Sequence, residues 1–119
     1  IKFGLMLWND GEYNGQKILS SESIALMSYP HIKTGVLSTQ IDGMGFGLGV
    51  GVVMDAEKTI LLDKENDFFW SGFYGTNFFV SPQTGLVGVI MSQNQPPPAS
   101  PWPGSFGVFI APAFAFLGA

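Results

Sequence analysis

The stretch from Trp70 to Gln93 constrains the fold more than any other. Two apolar segments, residues 77–81 and 86–92, are separated by Ser81-Pro82-Gln83-Thr84-Gly85. Proline presets φ for a turn and glycine tolerates positive φ, so the segment predicts a β-hairpin. A small-residue turn, Ser71-Gly72-Phe73-Tyr74-Gly75-Thr76, precedes the first arm, and residues 68–70 predict a further strand. A strand running into such a turn can hold backbone N–H groups beside a reacting carbonyl.

A second pattern lies upstream. Gly43-Met44-Gly45-Phe46-Gly47-Leu48-Gly49-Val50-Gly51-Val52-Val53-Met54 alternates glycine with large apolar residues. Read as one strand, it sets a bare glycine face opposite a Met/Phe/Leu/Val face. Something must approach the bare face closely, and another element's backbone is the candidate. Residues 55–58 read as a turn, 59–62 as a return strand and the charged stretch 63–67 as a solvated loop.

Nearer the start, Phe3, Leu5, Met6, Leu7 and Trp8 fit a helix end over residues 2–9. Asn9-Asp10-Gly11 and Asn14-Gly15 are turn signals. Ser20 predicts the cap of a helix over residues 21–29, with Glu22 in its first turn and Leu19 and Ile24 spaced as a hydrophobic staple. Pro30 ends that helix, because the residue before proline avoids α geometry. Residues 31–42 read as a loop. Residues 95–105 form a Pro-rich extended segment before an apolar tail, which reads as a short helix covering the sheet or as a poorly ordered end. The chain reads as one domain, or part of one, over residues 1–119.

Composition removes several classes of function. The chain is 46% hydrophobic and 12% charged, with a net charge of −4, and its five positive charges are all lysine. Nucleic-acid binding needs a basic surface to displace counterions, so no nucleic-acid partner is expected. No apolar run reaches the roughly 20 residues of a membrane span. The absence of Cys excludes disulfides, thiolate metal sites and a Cys nucleophile. The chain opens on Ile1, and the compartment is not legible from it.

Few side chains offer chemistry. His31 is the single histidine, so any Ser-His-Asp triad would have to use it. Its place between Pro30 and Ile32 suits a surface or helix-end histidine better. With no second His or Cys to join it, no metal is expected. Asp10, Asp42 and Asp55 flank turns, which explains them more economically than a glycosidase carboxylate pair. The glycine run places Leu48 where the dinucleotide fingerprint needs its third glycine. No cofactor is expected. Lys33-Thr34-Gly35 spells the K-T-G triplet of penicillin-binding enzymes, but it follows a helix stop instead of lying on a strand, and reads as a decoy.

Taken in order, the motifs resemble the C-terminal part of the serine β-lactamase-like family, which covers class C β-lactamases, DD-peptidases and related esterases. Phe3-Gly4-Leu5-Met6-Leu7, Asn9-Asp10-Gly11 and Leu19-Ser20-Ser21-Glu22-Ser23 are similar to the family's helix, "nGG" turn and "LLSPES" helix start. Gly45-Phe46-Gly47-Leu48-Gly49 is similar to its "GYGLGF" strand. Trp70-Ser71-Gly72 resembles its "HGG" or "WGG" third motif, and Ser81-Pro82-Gln83-Thr84-Gly85-Leu86-Val87-Gly88-Val89 its "DPxTGLVGV" hairpin. Together these motifs span about residues 1–94. The uncharged tail departs from the family's charged terminal helix.

The resemblance implies an α+β fold, an antiparallel sheet of three to five strands packed by the 21–29 helix and the apolar terminal segments. It also implies that Trp70, Ser71, Gly72 and Phe73 form the oxyanion side of an active site, with the Phe73 N–H as an oxyanion donor. Trp70 stands where the family places Lys or His, so it offers no charge to a β-lactam carboxylate and suits an esterase-like or apolar substrate better. The family's nucleophile motif S-x-x-K is absent, because no Ser has Lys three residues later. Its Y-x-N motif is absent too, since Tyr13, Tyr29 and Tyr74 are followed at the second position by Gly15, His31 and Thr76.

The expectation is therefore a fragment of a serine hydrolase acting on a small-molecule ester or amide in the complete protein. The fragment has no catalytic residue of its own and is inactive alone. The alternatives are a free-standing binding or assembly module on the same half-fold, or a different enzyme using Ser71 or His31. A strand edge and apolar surface left exposed predict a homo-oligomer or a complementing N-terminal region.

Overall fold

The computed structural model describes residues 1–33, 42–59 and 64–93. Among them the elements run α1 (Lys2–Trp8), β1 (Glu12–Tyr13), β2 (Gln16–Lys17), α2 (Ser21–Ser28), β3 (Met44–Phe46), β4 (Gly51–Val53), β5 (Phe68–Ser71), β6 (Asn77–Ser81) and β7 (Leu86–Ile90). The strands β3-β4-β5-β6-β7 form one antiparallel sheet in chain order, and β1 pairs with β2 in a separate hairpin. This is the expected α+β architecture, with the sheet at the upper end of the expected strand number.

Register explains the core. Val52, Phe68, Val80 and Val87 stand opposite one another across β4 to β7, so they share one face of the sheet. Met6 and Leu7 of α1 and Ile24 of α2 close over that row, and all three are buried. Gly4 lets α1 come down onto β7, because a Cβ there would lie 2.5 Å from a Val87 methyl. Leu19 packs against the same cluster as Ile24, as the staple spacing implies. The Ser20 hydroxyl accepts the Ser23 N–H at 3.2 Å and caps α2. The helix stops at Ser28, one residue short of the expected end, because Tyr29 before Pro30 is extended with ψ 131°.

The glycine run corrects the sequence reading. It is not one strand but the hairpin β3–β4. Gly47 donates to Val50 O at 2.8 Å, Gly49 adopts φ +87°, and the chain reverses between them. The expected close approaches do occur. A Cβ on Gly47 would meet Met27 O at 2.0 Å, one on Gly45 would meet Pro30 Cβ at 2.7 Å, and one on Gly51 would meet the Phe69 ring at 3.0 Å. The glycines thus seat β3 against the end of α2 and admit an aromatic ring beside β4.

Three further readings change or fall outside the described residues. Asn14-Gly15 is the turn of a true hairpin, both residues having positive φ, and it joins β1 to β2. Asp67 is fully buried, not solvated. Its carbonyl accepts the Val53 N–H at 2.9 Å, extending the β4–β5 pairing by one residue. Thr59 is in no strand, and the rest of the expected 59–62 strand lies outside the described residues, as do the Pro-rich segment and the apolar tail. Among the described residues no helix is long and apolar enough to cross a membrane.

Candidate functional site

The four residues singled out in the sequence lie together where β5 ends and turns into β6. Trp70 and Ser71 are the last two residues of β5, while Gly72 and Phe73 belong to the turn. β6 pairs with all of β5, but β4 pairs only with Phe68 and Phe69 because it begins at Gly51. The β4-facing edge of Trp70 and Ser71 is therefore left outside the ladder. A strand edge of this kind, beside an exposed turn, offers backbone groups to a ligand.

The turn is fixed by four hydrogen bonds. Gly72 donates to Thr76 O at 2.6 Å and Gly75 to Gly72 O at 3.0 Å. Asn77 Nδ2 donates to Gly75 O at 2.9 Å, and the Ser71 hydroxyl donates to Asn77 Oδ1. Asn77 is only 4% exposed, and its two bonds, one buried and one part-buried, hold the turn to the head of β6. The Ser92 hydroxyl adds a bond to Tyr74 O at 2.8 Å.

This geometry separates the roles of the four residues. The Gly72 N–H is taken by Thr76. The Phe73 N–H has no partner in the hydrogen bonds among the described residues, and the residue is 69% exposed at the turn's tip. An unpaired backbone donor on a pinned turn is what oxyanion stabilisation requires, because no reorganisation is needed when charge develops. Ser71 directs its only proton to Asn77, and among the described residues no base is hydrogen-bonded to it. His31 turns instead to Leu26 O, 2.8 Å from its Nε2, and lies edge-on to Tyr29 at 5.2 Å. Ser71 and His31 thus do not form a nucleophile–base pair, and His31 takes the surface place expected of it. Trp70 is half-exposed, and its ring meets Phe46 at 4.9 Å with an interplanar angle of 63°.

Two residues of this site escaped the sequence reading. Asn77 was taken simply as the first residue of a strand; the signal was a lone amide heading the apolar run Phe78-Phe79-Val80. Phe46 figures in the sequence as part of the glycine alternation and of the Gly45–Gly49 motif, with no link to Trp70. Elsewhere, Asp55 accepts the Glu57 N–H at 3.2 Å, as turn chemistry predicts, and pairs with Lys58. The Lys58 ammonium holds the exposed Asp55 carboxyl below its usual range. Lys33 is exposed, and the remainder of its K-T-G triplet lies outside the described residues.

No protein-family model matches the chain. Two curated proteins of Mycobacterium tuberculosis, the uncharacterized protein MT1414 of strain CDC 1551 and protein Rv1367c of strain H37Rv, are each 31% identical to it over 105 residues. The match takes in 81% of this chain and 26% of each relative, so the chain spans about a quarter of their length. Among solved structures, EstCE1, a hydrolase with promiscuous acyltransferase activity, matches with a TM-score of 0.72 and 27% identity over 92% of this chain and 26% of its own. A LovD6 mutant of the simvastatin synthase of Aspergillus terreus matches with a TM-score of 0.70 and 17% identity, covering 95% and 31% of the two chains. The unliganded simvastatin synthase gives 0.63 and 14%, covering 96% and 33%. The α+β arrangement is that of the C-terminal part of these β-lactamase-like neighbours.

Proposed function

We propose that this chain is the oxyanion-side portion of a β-lactamase-like hydrolase or acyltransferase that cleaves or transfers the acyl group of a small-molecule ester or amide. In this reading the Phe73 N–H meets the carbonyl oxygen, and Trp70, Ser71 and Gly72 wall the site. The nucleophile comes from protein outside these 119 residues, since no S-x-x-K occurs within them. The observation that carries the proposal is the likeness to EstCE1 across 92% of this chain. Covering only a quarter to a third of its neighbours, the chain alone brings an oxyanion donor without a nucleophile and has no turnover.

The test is hydrolysis of p-nitrophenyl butyrate by the complete reading frame and by the 119-residue chain. Turnover is expected from the complete protein only. Phe73→Pro, which deletes the N–H, should lower kcat about a hundredfold, the usual effect of losing one oxyanion donor. Rapid turnover by the 119-residue chain, or full activity of Phe73→Pro in the complete protein, would refute the assignment.

A second reading, a binding or assembly module on the same half-fold, is favoured by the asymmetry of the sheet edges. Among the described residues β3 is guarded by the bridge between Ile32 and Phe46, whereas β7 ends the sheet as a five-residue strand with no charge or proline to block pairing. Phe3, Val89 and Met91 are exposed on or near it. In either reading that edge takes a complementing segment or a second copy. A clean monomer at high concentration in light scattering would argue against the second copy.

A further inference from the structure

The aromatic contacts beside the Phe73 turn point to the kind of group the site accepts. Trp70 stands opposite Phe78 in the β5–β6 register, and such cross-strand neighbours are in side-chain reach. Phe46 meets Trp70 edge-to-face on one side, and Phe3 meets Phe78 in the same manner at 5.8 Å on the other. Two edge-to-face pairs therefore stand side by side in the register, Phe46 with Trp70 and Phe3 with Phe78. Trp70, 43% exposed and three residues before Phe73, is the member nearest the turn in the chain.

The charges around these pairs decide their chemistry. No Asp, Glu, Lys, Arg or His follows Asp67 in the sequence, so β5, β6, β7 and their turns hold no ionic partner for a ligand. A carboxylate laid on the Trp70 ring would lose hydration with no cation on β5, β6 or β7 to replace it, whereas an apolar group would gain burial against the ring.

We infer that Phe46 and Trp70 form a specificity element that accepts an uncharged aryl or branched-alkyl group of the substrate and discriminates against carboxylates. The inference rests on the proposed function for its link to catalysis. It assigns to Phe46 a role beyond its place in the Gly45–Gly49 motif, and it explains why a ring can stand where a cation would recruit an anion. The edge-to-face contact with Phe46 restrains the Trp70 ring, which stays 43% exposed.

Binding is read without turnover by saturation-transfer NMR on the 119-residue chain, using methyl 2-naphthoate and 2-naphthoate. The two probes share a ring system and differ in charge. The neutral ester is expected to bind about fivefold tighter or better, and Trp70→Ala and Phe46→Ala should each weaken it about threefold to tenfold, the range of one aromatic contact. Trp70→Phe should retain most of the binding, and Trp70→Lys should shift the preference toward the carboxylate. Equal affinity for the two probes, or neutral binding unchanged by loss of either ring, overturns the inference. So does loss of binding as chain concentration rises, because a second copy would then be the occupant. Trp70 is half-exposed, so its series decides the matter if Phe46→Ala does not fold. Preferential binding survives a failure of the hydrolase reading. Hydrolysis by the complete protein without that preference removes this inference alone.

Discussion

The two hairpins that share β6 are built from similar strands but end in different ways. Between β6 and β7 the chain turns through Pro82 and Gly85, with Gly85 donating to Ser81 O at 3.0 Å and adopting φ +72°. Local turn chemistry suffices there. Between β5 and β6 the turn carries two exposed aromatic residues, Phe73 and Tyr74, and is held by a nearly fully buried amide, Asn77. Burying an amide stabilises only when its partners are met, and here they are Gly75 O and the Ser71 hydroxyl. The first hairpin is organised for packing. The second keeps a backbone segment still while leaving it open, the property a ligand site needs.

The sharpest way to break this contrast is to perturb packing in the β6–β7 hairpin. Gly88 lies opposite Phe79, and a Cβ at Gly88 would sit 2.0 Å from a Phe79 ring carbon. Phe79 is 4% exposed, so its ring has little room to retreat. Gly88→Val should cost about 3 kcal/mol, at the upper end of overpacking effects, read from urea unfolding midpoints. A loss well under 1 kcal/mol would mean that the ring moves freely and that the hairpin is not packing-limited.

Next in size is the clamp. Asn77→Ala removes one buried and one part-buried hydrogen bond and should cost about 2 kcal/mol. Its signature should also be local, with faster amide exchange at Gly72 and Gly75 than at β7. Uniform loss of protection across the sheet would assign Asn77 to general stability and remove its special tie to the turn.

The two hairpins also differ in how far the sequence disclosed them. The boundaries of β6 and the Ser81–Gly85 turn were legible because two apolar runs are separated by residues whose φ preferences force a reversal. The period-two alternation misled at Gly43 to Met54. Glycine at every second position looks like one strand whether or not the chain reverses, and the reversal depends on Gly49 φ and on the Met27 carbonyl that receives Leu48 N–H at 3.0 Å. Asp67 was misread because its charged neighbours set the local average, while its own burial comes from pairing with β4. At the site, Trp70 to Phe73 could be found as a motif, since they are contiguous. Phe46 and Asn77 could not, because one reaches Trp70 from another hairpin and the other acts through a folded turn.

Smaller effects test whether each turn is as simple as its bonds imply. A Cβ at Gly85 would find Trp8 at 3.6 Å, an ordinary contact, so Gly85→Ala carries only the penalty of positive φ, about 1 kcal/mol. The smallest effect belongs to the other turn. The Phe73 ring is 69% exposed and meets Tyr74 at 5.2 Å. Phe73→Ala should leave stability within about 0.5 kcal/mol of the parent, since an exposed side chain away from the core contributes little. The same variant keeps its backbone N–H, so in the complete protein it should retain the kcat that Phe73→Pro loses. If Phe73→Ala instead matched Phe73→Pro in kcat, the ring and not the backbone donor would be what the turn presents. The division drawn between a packing hairpin and a backbone-presenting one would then have to be redrawn around the side chain.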